Sequence, residues 1–279
     1  MQVQSHHAPG AVQPTDHPEQ FIDAERYPIV DLESAAGHDL VAQGRRQLDT
    51  DGTCVLEGFL RPEAAARARA ELQGLLGQAY YCEKTHNPYL APNDPGFADD
   101  HPRNLQQLSD LGALADDQIP EGSVLRQLYL WDRLQAFVAA LLGVERLYPY
   151  ADPLGSLNLN VFRPGQQLGW HYDNADWAIT LMLQPAEAGG VYEYVPWIRE
   201  PDDEHYDAVG HVLAGARETV RELAMGTGAL VLFRGRYSLH RVTPVRGTLP
   251  RLVAVLSYDT EPGVRLTEHN RLLFYGRVS

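Results

Sequence analysis

The stretch GWHYDNADWAITLMLQ, Gly169 to Gln184, sets a histidine and an aspartate two residues apart at the edge of an apolar, β-branched run. On a strand, residues two apart point to the same side, so His171 and Asp173 project together while Tyr172 turns away. One imidazole and one carboxylate are thereby offered to a common point. A lone H-x-D triplet is usually surface decoration, so a third ligand has to come from elsewhere in the chain.

The surrounding texture says what kind of fold would supply it. From Gly155 onward short strand-like runs follow one another: SLNLNVF, LGWHY, WAITLMLQ, VYEYV, ETVREL, ALVLF, SLHRVT and RLVAVLSY. Turn signals separate them (PG, AGG, GTG, GR, RGTLP), which is the pattern of an antiparallel sandwich or jelly roll. One polar excursion, WIREPDDEHYDAVGHVLAGA, interrupts the series and reads as partly helical. In SLHRVTPV, His240 sits on a late strand, and a jelly roll can bring that strand into register with the H-x-D strand. Two imidazoles and a carboxylate would then converge in the 2-His-1-carboxylate arrangement, which holds a divalent iron and leaves positions open for other ligands. On the next apolar run, PRLVAVLSY, Arg251 carries a guanidinium whose burial would require a carboxylate partner, and its fork matches one bidentately.

The N-terminal half reads differently. Residues 1–26 are rich in His, Pro, Gln and Asp without an apolar period and read as a disordered arm, with His6 and His7 as weak metal candidates. A short strand is expected over YPIVDL, a helix from Ser34 to about Leu48, a strand in DGTCVLEGFL, and a helix through RPEAAARARAELQGLLGQAYY with Pro62 in its first turn. The segment THNPYLAPNDPGFADDHPRN is too rich in Pro, Asn and Asp for regular structure, and a second helix is expected from about Val124 to Leu142, ending at Gly143. The fold expected is α+β: a double-stranded β-helix (jelly-roll) core over about 155–260, flanked by an N-terminal helical part over 27–154, in one domain spanning 27–279.

Composition narrows the partners. A net charge of −14 disfavours tracking a phosphate backbone or an anionic membrane, so no nucleic-acid or membrane partner is expected. The start MQVQSHHAPG has neither the basic nor the apolar region of a signal peptide, and no apolar span approaches the roughly 20 residues that cross a bilayer. A cytoplasmic location is expected. The cysteines, Cys54 and Cys82, have no C-x-x-C spacing and read as packing residues.

With H-x-D, the distal His240 and Arg251 in hand, the chain resembles the Fe(II)/2-oxoglutarate-dependent oxygenases over about Gly155 to Tyr258. More narrowly, GWHYDNADWAITLMLQ, AGGVYEYVPWIR, LFRGRYSLHRVTPVRG, PRLVAVLSYD and FYGR resemble the group containing the BesD-type free amino acid halogenases and their hydroxylase relatives. The resemblance implies His171, Asp173 and His240 as iron ligands and Arg251 as partner of the distal carboxylate of 2-oxoglutarate. It further implies Fe(II), 2-oxoglutarate and O2 as cofactor and cosubstrates, with succinate and CO2 released. Where the wider family often has an aromatic hydroxyl before H-x-D, the motif FRPG presents Phe162. Asn158, Asn160 and Thr180 are then candidate cosubstrate contacts by strand alternation. Halogenases of this group replace the carboxylate ligand with a small residue that vacates a position for chloride. Asp173 therefore points to a hydroxylase acting on an unactivated C–H bond. The alternatives are a radical halogenase or desaturase of the same family, or a cupin-like, non-oxidative metal-binding protein. Asn174, Asp176 and Trp177 are candidate substrate contacts; either the acidic excursion or the Pro- and Asn-rich loop around Asn87 to Asn104 is expected to cover the mouth. The acidic run and the resemblance favour a free amino acid, a basic one among the candidates.

Overall fold

The computed structural model describes residues 17–279; His6 and His7 lie outside the described residues. Two antiparallel sheets face each other. Their strands are β1 (Thr53–Leu56), β2 (Tyr80–His86), β3 (Gln107–Leu114), β4 (Leu157–Phe162), β5 (Leu168–His171) and β6 (Ala178–Gln184), then β7 (Tyr192–Val195), β8 (Arg221–Leu223), β9 (Leu230–Phe233), β10 (Leu239–Val242) and β11 (Arg251–Leu256). The large sheet runs β1-β9-β6-β11-β4-β3-β2 and the small one β8-β7-β10-β5. The expected jelly roll is present.

Strand alternation explains why the large sheet mixes leucine with asparagine. In β4, Leu157, Leu159 and Val161 face outward, into the main core cluster. Asn158, Asn160 and Phe162 face the other way, into a cavity between the sheets. The outer face is covered by α1 (Ala35–Asp51), α2 (Pro62–Gln73), α3 (Val124–Tyr129) and α4 (Asp132–Leu142), which contribute Leu48, Ala65, Ala68, Leu72, Leu134 and Phe137 to that cluster. The caps match the sequence: the Ser34 hydroxyl accepts from Gly37 N–H, Pro62 opens α2, and Gly143 closes α4 in the left-handed conformation at φ 74°. On the far side of the small sheet, α5 (Tyr206–Leu213) packs Val209 and Val212 against Trp170, Tyr172, Val195 and Leu239.

Four expectations need correction. Within the expected arm, Pro18–Phe21 forms a 3-10 turn; Phe21 and Ile22 are buried and Ile22 bridges Leu60, so the ordered chain begins before Arg26. YPIVDL is a series of turns: Tyr27 and Ile29 are buried one at a time, and their amides bond locally to Asp23 and Tyr27 carbonyls. The single helix from Val124 to Leu142 breaks between Tyr129 and Asp132. Tyr129 and Trp131 are both buried while Leu130 is exposed; on one unbroken helix 129 and 131 would lie about 200° apart. Finally, the helical part supplies three strands to the large sheet. The helix expected to run to Tyr81 stops at Gln73, and Tyr80 onward pairs with β3 as a hairpin. No helix among the described residues is long and apolar enough to cross a membrane.

Candidate active site

His171 and His240 are direct cross-strand partners on β5 and β10, with ring centroids 4.1 Å apart. Each ring is held the same way. Nδ1 of His171 donates to the Gly169 carbonyl at 2.8 Å, and Nδ1 of His240 donates to the Ser238 carbonyl at 2.9 Å. A carbonyl can only accept, so both rings carry the proton on Nδ1 and keep the Nε2 lone pair free, the tautomer a metal ligand needs. Asp173 follows just beyond β5, and its Oδ1 lies 3.8 Å from Nε2 of His171 and 3.6 Å from Nε2 of His240. One ligand atom from each of the three residues lies within 4.8 Å of the others.

The electrostatics suit a cation at that point. Burial, followed by the neighbouring His240, pushes the His171 imidazole down to about 3, so it is neutral at physiological pH. Burial alone would raise the Asp173 carboxyl, but the neighbouring His240 and then His171 hold it below its ordinary value. Its Oδ2 is buried with no hydrogen-bond partner, which is costly for a carboxylate unless a cation is bound there. Two imidazoles whose Nε2 atoms face one point, and a carboxylate with an orphaned oxygen, fit a divalent iron. Gly235 packs against that carboxylate: a Cβ added there would lie 2.8 Å from Asp173 Cβ and 2.5 Å from its Cγ.

The triad opens into a cavity of about 300 Å³ whose floor is the inner face of the large sheet. Register places Asn158 and Thr180 on either side of Val255, Asn160 beside Val253, and Phe162 opposite Arg251. Arg251 is 3% exposed and, among the described residues, has no carboxylate partner. Burial lowers its guanidinium to about 10, opposed by the nearby Tyr192. Phe162 lies under it, 5.4 Å from ring centroid to guanidinium. A buried, unpaired arginine in a cavity is a receptor for an anion.

Among the residues singled out in the sequence, the structure brings His171, Asp173, His240, Arg251, Asn158, Asn160, Thr180, Asn174 and Trp177 to this cavity. Trp177 keeps a buried Nε1–H without an acceptor. Asp176 does not join them: it is half exposed and paired with Arg236, whose guanidinium also donates to the Asn174 carbonyl. The acidic excursion is also misplaced as a cover for the mouth. No residue from Pro196 to Gly215 lines the cavity. Tyr206 instead packs on Phe97 and His101, and Arg103 and Arg199 both lie over Tyr89, welding the excursion to the long Pro-rich loop behind the metal strand. The cavity is bordered by α6 (Glu268–Tyr275), which contributes Asn270, Leu273 and Phe274 and is tethered by Arg271 to the buried Asp152.

Tyr192 was not anticipated as a site residue. Its ring stacks on His240 at 5.5 Å, it lines the cavity, and the fields of both Asp173 and Arg251 reach its hydroxyl. It puts between the triad and the arginine the phenol that position 162 lacks. Alternation in VYEYV was the available signal, since Tyr192 and Tyr194 must share one face.

A family model described as Halogenase D matches residues 36–270, most of the 279-residue chain. The chain belongs to the Halogenase D family. Its fold is similar to that of an oxidoreductase of the 2OG-Fe(II) oxygenase family from Burkholderia pseudomallei, at 16% identity and TM-score 0.52, over 80% of this chain and 92% of that one. AviO1 from Streptomyces viridochromogenes Tue57 is similar at 17% identity and TM-score 0.55, over 80% and 96%. The epimerase SnoN, in complex with Fe3+, alpha ketoglutarate and nogalamycin RO, is similar at 15% identity and TM-score 0.53, over 79% and 84%. No curated protein matches the chain. Identities this low carry the fold alone. Taken with the family and the His-Asp-His site, the Halogenase D chain is an iron- and 2-oxoglutarate-dependent oxygenase that uses dioxygen, and the cupin-like, non-oxidative reading falls away.

Proposed function

We propose that this member of the Halogenase D family is a hydroxylase of a small molecule, with a free amino acid as the substrate class. The observation that carries the reaction type is Asp173: a carboxylate lies within 3.8 Å of both imidazole Nε2 atoms, filling the position that a halide would need. His171, Asp173 and His240 hold the iron. Bound iron, with 2-oxoglutarate and dioxygen, supplies the oxidising power that cleaves an unactivated C–H bond. Arg251 pairs with the distal carboxylate of 2-oxoglutarate, and the Tyr192 hydroxyl and the polar row Asn158, Asn160 and Thr180 orient it on the sheet floor. Asn174 and Trp177 face the substrate, the free Trp177 N–H being a donor that burial leaves in need of an acceptor. The apolar strand residues and α6 keep bulk water from the reacting carbon.

The test is turnover of purified protein with Fe(II), 2-oxoglutarate and a panel of free amino acids, reading succinate and product mass, beside iron stoichiometry of His171→Ala and His240→Ala. The expected result is amino-acid-dependent succinate with a product heavier by one oxygen, and loss of iron and turnover in both variants. Full iron occupancy and turnover in either variant would remove the triad assignment.

A further inference from the structure

The chain holds 22 arginines and one lysine, Lys84. That lysine stands in β2 on the same face as Cys82 and His86; all three line the cavity, Cys82 buried, His86 half-buried and Lys84 exposed at its rim. It is opposite Ser109 of β3, another lining residue. Among the described residues no carboxylate forms an ion pair with it. Arg251, the cavity's arginine, lies on β11, separated from β2 by β4 and β3. Cys82 is the β2 residue level with Arg251, and Lys84 lies two residues further along. Three strand spacings of about 4.8 Å and that offset put the two backbone positions roughly 16 Å apart, so an anion on Arg251 leaves Lys84 free for a different one.

The wall between them decides what that second anion is attached to. Leu111, Ala113, Val253 and Val255 come from the sheet and Leu273 and Phe274 from α6, and the polar groups set among them, Asn158, Asn160 and Asn270, carry no charge. Asp173 is the only carboxylate among the lining residues. A cationic side chain on the substrate would be taken from water with no acidic partner, at a cost that a largely apolar wall without charge does not offset. An uncharged chain suffers no such penalty and gains from the apolar contact.

We infer that Lys84 is the substrate anchor, holding the carboxylate of a small acid whose remaining chain is uncharged and largely apolar, and that the enzyme discriminates against basic amino acids. This rests on the hydroxylase reading above and narrows its substrate class. A lysine on the inner face of an edge strand also has a structural use, guarding the edge against pairing with another chain. That use makes the opposite prediction for ligand affinity.

Anaerobic calorimetry of the protein loaded with Fe(II) and 2-oxoglutarate separates these cases, with L-leucine, leucine amide, 4-methylpentanoate and L-lysine as probes. Leucine binds more tightly than lysine; Lys84→Met weakens leucine at least tenfold, and more than it weakens 2-oxoglutarate; Lys84→Arg restores most of the loss. Leucine amide, lacking the carboxylate, binds the native protein and Lys84→Met alike. Binding of 4-methylpentanoate but not of leucine, still dependent on Lys84, supports the anchor while refuting the amino acid reading. The inference is overturned by equal leucine affinity in Lys84→Met, by aggregation of that variant with affinity intact, by preference for lysine, or by no binding of any probe.

Discussion

Gly235→Ala tests how tightly the protein places its own carboxylate ligand. An added Cβ would stand 2.5 Å from Asp173 Cγ, whereas carbon atoms pack at about 3.5–4.0 Å. The carboxylate must therefore retreat by about 1 Å or more. Metal sites tolerate displacements of only about 0.2 Å in a ligand, and losing the support of a ligand typically costs 10–100-fold in metal affinity. Gly235 has no positive φ, so alanine is compatible with its backbone and the penalty falls on the site and not on the fold. Iron affinity by anaerobic equilibrium dialysis should fall by about 10–100-fold, with the thermal midpoint little changed. The double variant supplies the control: with Asp173→Gly the clash has no partner, so Gly235→Ala on that background should cost almost nothing more. Wild-type iron affinity in Gly235→Ala, or equal losses with and without Asp173, would refute the placement.

Removing the guanidinium in Arg251→Ala should raise the 2-oxoglutarate requirement far more than it affects iron binding; a buried charge pair lost on one side costs about 2–5 kcal/mol, at least about thirtyfold at a tenfold per 1.4 kcal/mol, and an unchanged cosubstrate dependence excludes the role. The metal-free protein should lose stability as pH falls from about 6.5, the ordinary histidine value, towards the value of about 3 that burial imposes on His171. In that window the unfolded chain takes up a proton that the folded site refuses, and above it the residue contributes no slope. His171→Asn should flatten the denaturation midpoint against pH in that range, and an identical profile would contradict the burial argument. Asp152, buried and bonded to Leu154, Gly155 and Leu266 amides and to Arg271, fixes the segment leading into α6; Asp152→Ala should speed amide exchange across 266–275, and unchanged exchange would show that α6 is held by its apolar contacts alone.

The metal strand was legible because its chemistry and its period coincide: H-x-D puts two ligands on one face, and the apolar run after it marks a sheet. His240 and Arg251 were legible for the same reason, each a polar residue where an apolar strand has no local use for one. Asn158, Asn160 and Thr180 followed from alternation alone. Asp176 looked identical to its neighbours in sequence, and only the fold shows Arg236 taking it to the surface. The acidic run from Glu200 to Glu204 was misread as a cover because charge along a chain carries no direction; Tyr206 and Phe97 settle where it docks. The β2–β3 hairpin was hidden by a helix-like stretch that two glycines, Gly74 and Gly77, in fact end. Lys84 was visible in the composition as a lone lysine among arginines, but its place on an inward face required the hairpin.

Turnover of the native enzyme in buffers containing chloride or bromide, read by product mass, tests the central claim most directly. With Asp173 filling the third ligand position, the product should be heavier by one oxygen atom and carry no halogen, whatever halide is present. A chlorinated or brominated product from the unmodified protein would contradict the hydroxylase account and show that the carboxylate does not hold the metal.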